Sequence, residues 1–492
     1  MNPLKKLAGQ TLVYGMGTIV PRMLTYAIMT PLYTNYLKNS PLYGNYTAVY
    51  AYVAFFMVFL PLGMETSFFR FAQVYGKDKA FSTASTNVGI ISILFALIAC
   101  LFAPTWANIM EFSGHTEYIY LMALTVAIDG ISTIPFAKLR QENRPGKFAR
   151  LKLLNTSLLI VFNILFIVVL PSLAKSYNNI FLQNLYQKYN LLDFILFANL
   201  LSSFIVLTPL IPEFFKIKWQ FDKKVFRSMI LYGLPLVVVG SAGWINDNLD
   251  KIFLKYAVNT ETSGLYGANY KIAILMILFV QMFRYAAEPF FFAESKKENA
   301  QKTYAQVMQY FILIGWLFFL GVCLYLDIIK HFVNHSFWIG LNAVPVVLLA
   351  NLFFGIYFNL SIWYKLTNKT YYGAIMSIIG SLITIGLNIY LVPRYSYMGS
   401  AWATFGCYFG MMLISYFWGK KHFAVRYPLK RIAIYSISAL AIYFISIKFA
   451  PEHFWGKMGF NTVLLVIYLL LAAHHEIKKI SLLIRDKLKR SN

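Results

Sequence analysis

Apolar residues in this chain come in long, nearly unbroken runs, with neither the alternation of a half-buried strand nor the single stripe of a surface helix. Fourteen runs fall near residues 9–34, 43–69, 84–104, 118–138, 152–171, 191–212, 228–250, 265–292, 305–327, 338–364, 371–392, 398–419, 431–449 and 459–475. A helix rises ~1.5 Å per residue, so runs of this length cross the ~30 Å hydrocarbon layer of a bilayer. The runs near 43–69, 265–292 and 338–364 exceed one crossing and are expected to tilt or extend past the interface. The longest polar interval is about 20 residues, too short for a folded soluble domain. The pattern predicts an all-α integral membrane protein with about fourteen transmembrane helices.

Charge placement orients them. With the N-terminus inside, 32 of the 44 basic residues fall in inside segments and nine in outside segments, leaving Arg22, Lys271 and Arg284 within spans. That bias predicts both termini in the cytoplasm. The net charge of +25 therefore reads as a topology signal and not as a nucleic-acid surface. Composition agrees: 59% of residues are hydrophobic, and 13% are charged, about half the share usual in soluble domains. Lys5 and Lys6 precede no small-residue cleavage site, so the first run is expected to be a retained span. Cys100, Cys323 and Cys407 each sit in a separate apolar run, as packed small residues and not as a disulfide or metal framework. Past residue 475, Ile477, Ile480, Ile484 and Leu488 recur at helical spacing among basic residues. This fits an amphipathic helix on an anionic inner leaflet, or a solvated basic tail.

A motif order recurs at half the length of the chain. Tyr14-Gly15, Pro21, Leu37 and Leu42-Tyr43-Gly44-Asn45-Tyr46 are echoed by Tyr232-Gly233, Pro235, Leu254 and Leu265-Tyr266-Gly267-Ala268-Asn269-Tyr270. Runs one and seven point the same way across the membrane, so the repeat is parallel. Two six-helix lobes are expected, 1–215 and 216–420, followed by two further spans over 421–475 and the tail 476–492. A substrate site between such lobes is a transporter plan.

Arg22 is the leading candidate for chemistry. It follows Pro21 near the middle of the first run, about 18–20 Å from either end at ~1.5 Å per residue. Snorkelling does not span that distance, and an isolated charge there costs from ~2.5 to more than 10 kcal/mol. It is read as an anion-binding group in a cavity, or as half of a buried ion pair with Glu65. Arg284 and Glu288 stand at i and i+4, as a self-neutralised pair or as part of the same site, and Lys271 lies near the outer end of their span. Glu65 has Arg70 five residues on, as an interfacial pair. Asp129 is a mid-span acid, either a packing hydrogen-bond partner or an ion-coupling carboxylate. Asp250, in Asn246-Asp247-Asn248-Leu249-Asp250-Lys251, caps an interface or offers oxygen ligands to a cation. No GxxxxGK[ST] loop and no HExxH occurs, and no outside segment gathers acids with histidines. A membrane polymerase or ligase would need such a segment; a drug or metabolite antiporter, working through Asp129, would not. A non-transporting scaffold leaves the mid-span Arg22 without a purpose.

Taken in order, several of these stretches resemble the polysaccharide (Wzx-type) flippases of the multidrug/oligosaccharidyl-lipid/polysaccharide (MOP) transporter superfamily, over essentially the whole chain. They are Pro21-Arg22, Leu42-Tyr43-Gly44-Asn45-Tyr46, Gly63-Met64-Glu65 with Arg70, and the inner loop Lys138-Leu139-Arg140-Gln141-Glu142-Asn143-Arg144-Pro145-Gly146-Lys147-Phe148-Ala149. Gly233-Leu234-Pro235, Asp250-Lys251, Gly264-Leu265-Tyr266 and Lys271 complete the set. The resemblance implies a V-shaped cationic cavity between two lobes and alternating access driven by membrane potential or by Na+ or H+ exchange. It implies that an undecaprenyl-pyrophosphate-linked glycan passes from the inner to the outer leaflet of a bacterial cytoplasmic membrane. It also implies membrane lipids and glycan polymerases or glycosyltransferases as partners, and no enzymatic cofactor. Deep positive charge in the second half is limited to Lys271 and Arg284, which sets the chain apart from the lipid II flippase branch.

Overall fold

A computed structural model of the chain describes residues 3–38, 41–112, 114–215, 219, 221–295, 297–367 and 369–490, without the side chains of residues 3–18, 286, 289, 293 and 475–490. The described residues are almost entirely helical and contain no strand. The chain packs as two compact units, Met1–Ala268 with Val392–Tyr397, and Asn269–Leu391 with Met398–Asn492.

The first unit runs through α1 (Pro3–Leu37), α2 (Pro41–Phe59), α3 (Met64–Tyr75), α4 (Lys77–Leu101), α5 (Ala103–Ile109), α6 (Thr116–Gln141), α7 (Pro145–Ile164), α8 (Leu170–Ser176), α9 (Ile180–Lys188), α10 (Leu191–Leu207), α11 (Ile211–Phe215) and α12 (Lys223–Ala257). Start signals are written in the sequence. Asn190 and Asp193 form a capping box at α10, and the Asp222 carboxylate accepts the Lys224 and Val225 N–H groups at the start of α12. Between α7 and α8 the chain opens into a π-helical turn, Leu165–Val169, just before Pro171, whose missing N–H cannot continue the ladder. The long run near 43–69 is broken at Gly63, φ +67°, where α2 gives way to α3. A Cβ at Gly63 would lie 2.6 Å from the Gly233 carbonyl oxygen of α12, so glycine serves both the turn and the close approach. Met64, Phe68, Phe81, Val88, Ile134 and Met229 pack into one apolar cluster around this junction.

The second unit takes in most of α13 (Thr260–Glu294), then α14 (Ala300–Leu324), α15 (Leu326–Ile329), α16 (Ala343–Leu360), α17 (Ile362–Leu366), α18 (Tyr371–His422), α19 (Leu429–Phe449) and α20 (Phe454–Arg490). The 52 residues of α18 are two antiparallel helices. Ser396 (φ 53°, ψ −135°) breaks the helix just after Pro393. Asn388 accepts from Ser400, Cys407 donates to the Gly380 carbonyl, and Tyr372 meets His422. The expected tail helix continues α20 as far as Arg490, and its side chains lie outside the described residues.

Twelve helices among the described residues are long and apolar enough to cross a membrane. Helix α1, which overlies the run 9–34, stands outside those twelve, and α18 counts once although it carries two of the expected runs. The short polar stretch between α8 and α10 contains α9, capped by Asn179.

Candidate functional site

Helix α1 brings Arg22 to its exposed face immediately after the buried Pro21. The expected pairing of Arg22 with Glu65 is not formed, because that acid is engaged elsewhere. Glu65, at the start of α3, makes its ion pair with Arg140 at the end of α6. Arg70 does not pair with Glu65 either; its guanidinium lies 4.5 Å from the centre of the Tyr232 ring. The sequence places Glu65 five residues before Arg70, which rotates the two side chains away from each other on a helix.

The inner loop Lys138–Ala149 folds onto a second acid, Glu213 of α11, which is fully buried. Its carboxylate oxygens lie 2.7 Å from Lys147, 2.9 Å from Arg144 and 3.6 Å from Lys138, and the Lys138 ammonium also donates to the Glu213 carbonyl. The cations counted as topology signals are thus consumed by the fold. Glu213 was missed because it is sixty-six residues beyond Lys147; an acid closing an otherwise apolar run was the available cue.

Deeper in the first unit a seam of hydroxyl and amide groups crosses the helices. Tyr33 of α1 donates to Asn163 of α7 at 3.0 Å, and Asn199 of α10 donates to the Tyr50 hydroxyl of α2 at 3.0 Å. The rings of Tyr33, Tyr46 and Tyr50 stand 5.0 and 4.8 Å apart in sequence along this seam. Asp129 of α6 joins it, accepting from Ser203 and facing Lys152 and Tyr50. The mid-span acid is therefore built into a helix-packing network. Tyr43, Tyr46 and Tyr50 recur at i, i+3 and i+7, a spacing that signals a single aromatic face.

At the end of α12, Asp250 is buried and ion-paired at 2.9 Å with Lys251, which also donates to the Asp247 carbonyl. Among the described residues no three His, Cys, Asp or Glu side chains gather as a metal site. Beside this corner the two LYG motifs meet. A Cβ on Gly44 would run into the Thr260 carbonyl, and one on Gly264 would lie 2.8 Å from the Gly44 nitrogen. The repeated glycines permit that helix contact, as small residues do in membranes.

In the second unit, Lys271 is half-buried on α13 beside Asn269, whose amide donates to the Phe337 carbonyl at 2.8 Å. Further along α13, Arg284 and Glu288 are 3.8 Å apart, and Lys365 of α17 approaches the same carboxylate at 2.7 Å. Both cations lie over Phe358, 4.5 and 4.7 Å from its centre. The expected i,i+4 pair is a cluster of three, with two cations to one acid. Lys365 is 77 residues from Glu288, too far along the chain for helical spacing to find it.

This many membrane-length helices, with cations exposed on α1 and α13, define a multi-pass membrane protein. Its fold is that of the MOP transporters. The lipid II flippase MurJ in an inward closed conformation covers 95% of the chain and is itself covered completely, with TM-score 0.73 and 17% identity. An inward-facing multidrug MATE transporter matches over 84% of the chain and 97% of its own length, with TM-score 0.64 and 14% identity. Residues 40–340 match the family described as polysaccharide biosynthesis protein, and the chain belongs to that family. Relatives include Lsg locus putative protein 1 of Haemophilus influenzae, 20% identical over 63% of this chain and 72% of its own length. An uncharacterized membrane protein of Methanocaldococcus jannaschii is 21% identical over 80% and 81%.

Proposed function

We propose that the protein flips a lipid-pyrophosphate-linked oligosaccharide from the inner to the outer leaflet of the bacterial cytoplasmic membrane by alternating access. Family membership supports a cargo from polysaccharide assembly, and the likeness to MurJ supports a lipid-linked one. The observation that carries the reading is Arg22. It sits at mid-run on an exposed helix face, and Glu65 pairs with Arg140. A pyrophosphate bears about two negative charges and accepts the forked hydrogen bonds of a guanidinium. Arg284 and Lys271 supply further positive charge along the passage, and the carrier's hydrocarbon tail stays in the bilayer while the head crosses.

The test is Arg22→Ala in cells whose surface glycan depends on this protein. Loss of one bidentate charge-assisted contact is expected to slow delivery by about tenfold or more, with lipid-linked glycan accumulating on the inner leaflet. Arg22→Lys should recover part of the rate, because a point charge replaces the fork. Normal surface glycan at normal levels of the alanine variant would refute the proposal.

A further inference from the structure

A cavity of about 490 Å³ opens in the second unit, and none of the residues assigned to cargo lines it. Its walls come from the end of α14, the segment leading through α15 to the start of α16, the end of α19 and the turn into α20. The floor is closed by its own bonds. Ser446 of α19 donates to Asn461 of α20 at 2.7 Å, and Asn461 donates to the Leu324 carbonyl of α14. The Trp338 indole on one wall is fixed by N–H bonds to the Lys330 and Val333 carbonyls.

The charges in the wall are unevenly matched. Asp327 holds two ammonium groups, Lys330 at 2.8 Å and Lys457 at 2.6 Å, so this side keeps a surplus positive charge with both lysines partly open. Glu452 lines the same cavity, is exposed, and forms no ion pair among the described residues. Ile447 lines the cavity and is exposed, and the exposed Phe449 and Trp455 stand at the end of α19 and the start of α20, where aromatic side chains mark the bilayer interface.

From the surplus ammonium around Asp327 and the carboxylate of Glu452 in the same cavity, we propose that this cavity binds the zwitterionic headgroup of a phospholipid bearing a primary ammonium. The phosphate sits on Lys330 and Lys457, the ammonium on Glu452, and the glycerol follows the apolar rim. Volume fits a headgroup-sized ligand. An anionic headgroup would satisfy the lysines and leave Glu452 facing a like charge. A neutral sugar would leave both charges uncompensated. The cavity shares no lining residue with the proposed cargo site, so its failure leaves the flippase reading intact.

The experiment is native mass spectrometry on the full-length, delipidated protein, titrated separately with phosphatidylethanolamine, phosphatidylglycerol, phosphatidylcholine and monoglucosyl diacylglycerol of matched acyl chains. One phosphatidylethanolamine should be held about tenfold more tightly than the other three, the size of one charge-assisted hydrogen bond. Glu452→Gln should erase that preference while leaving the melting temperature unchanged, since the side chain is exposed and unpaired. Lys457→Gln should weaken retention of phosphatidylethanolamine as well. Equal retention of all four lipids, or an undiminished preference in Glu452→Gln, overturns the proposal. Selective retention of the glucosyl lipid also overturns it and assigns the cavity to a saccharide instead.

Discussion

Glu213 in the first unit and Glu288 in the second each gather several cations, yet the two clusters behave differently. Glu213 is fully buried, and Lys138, Arg144 and Lys147 close over it, which pins the loop between α6 and α7 to α11. Glu288 is one-third exposed, and Arg284 beside it is half exposed over Phe358. In the first cluster the acid is enclosed and its cations are spent on it. In the second the acid takes one lysine closely, and the guanidinium 3.8 Å away keeps room for another anion. Counting charges does not tell the two clusters apart; the burial of the acid does.

That contrast is most exposed to failure at Glu213. Glu213→Ala leaves buried Lys138 with only the more distant Glu142, 3.9 Å away, and should cost about 3 kcal/mol, near the low end for a broken buried ion pair because Arg144 and Lys147 reach water. The readout is the thermal midpoint and folded yield of the purified protein, with flipping per folded molecule unchanged. A variant that melts normally would remove the distinction. Arg284→Ala should do the reverse: about a tenfold loss of glycan delivery, milder than for Arg22→Ala, at normal stability. A smaller effect belongs to Glu65→Gln. Its pair with Arg140 is more than one-third exposed on both sides, so a loss of no more than about 1 kcal/mol is expected in the same melting assay.

The same contrast explains how much of the molecule was legible in advance. Transmembrane runs are read locally, because a bilayer demands an unbroken apolar stretch, and helices do overlie those runs. The hairpin at Ser396 was also legible, since a polar break carrying Pro393 and Arg394 interrupts the apolar pattern. Partners of charged residues were not. Glu65 meets Arg140, Glu213 meets Lys147 and Glu288 meets Lys365 across long stretches of chain, and no helical periodicity encodes those distances. The LYG repeat was visible as a pattern, but its physical purpose, the approach of Gly44 to Thr260 and Gly264, required the packed helices. Arg22 stood out because a charge inside an apolar run is conspicuous without knowing its neighbours.

The smallest effect is expected where a partly exposed ion pair only supplements a helix cap. Asp222 precedes α12 and accepts two backbone N–H bonds there, while Lys79 at the start of α4 lies 2.7 Å from its carboxylate. The Lys79 contact chiefly, and the two backbone donors with it, hold the Asp222 pKa below the usual aspartate value of 3.8. An acid with a depressed folded pKa stabilises the protein above its unfolded pKa, and that contribution fades as pH falls through the lower, folded value. Asp222→Asn keeps the cap and removes only the charge. Wild type should therefore melt slightly above the variant from neutral pH down to about pH 4, and the gap should close at more acidic pH. A gap that persists there would assign the stabilisation to the cap geometry and not to the ion pair. A gap that exceeds the one produced by Glu213→Ala would invert the ordering of buried over exposed acids from which these expectations are drawn.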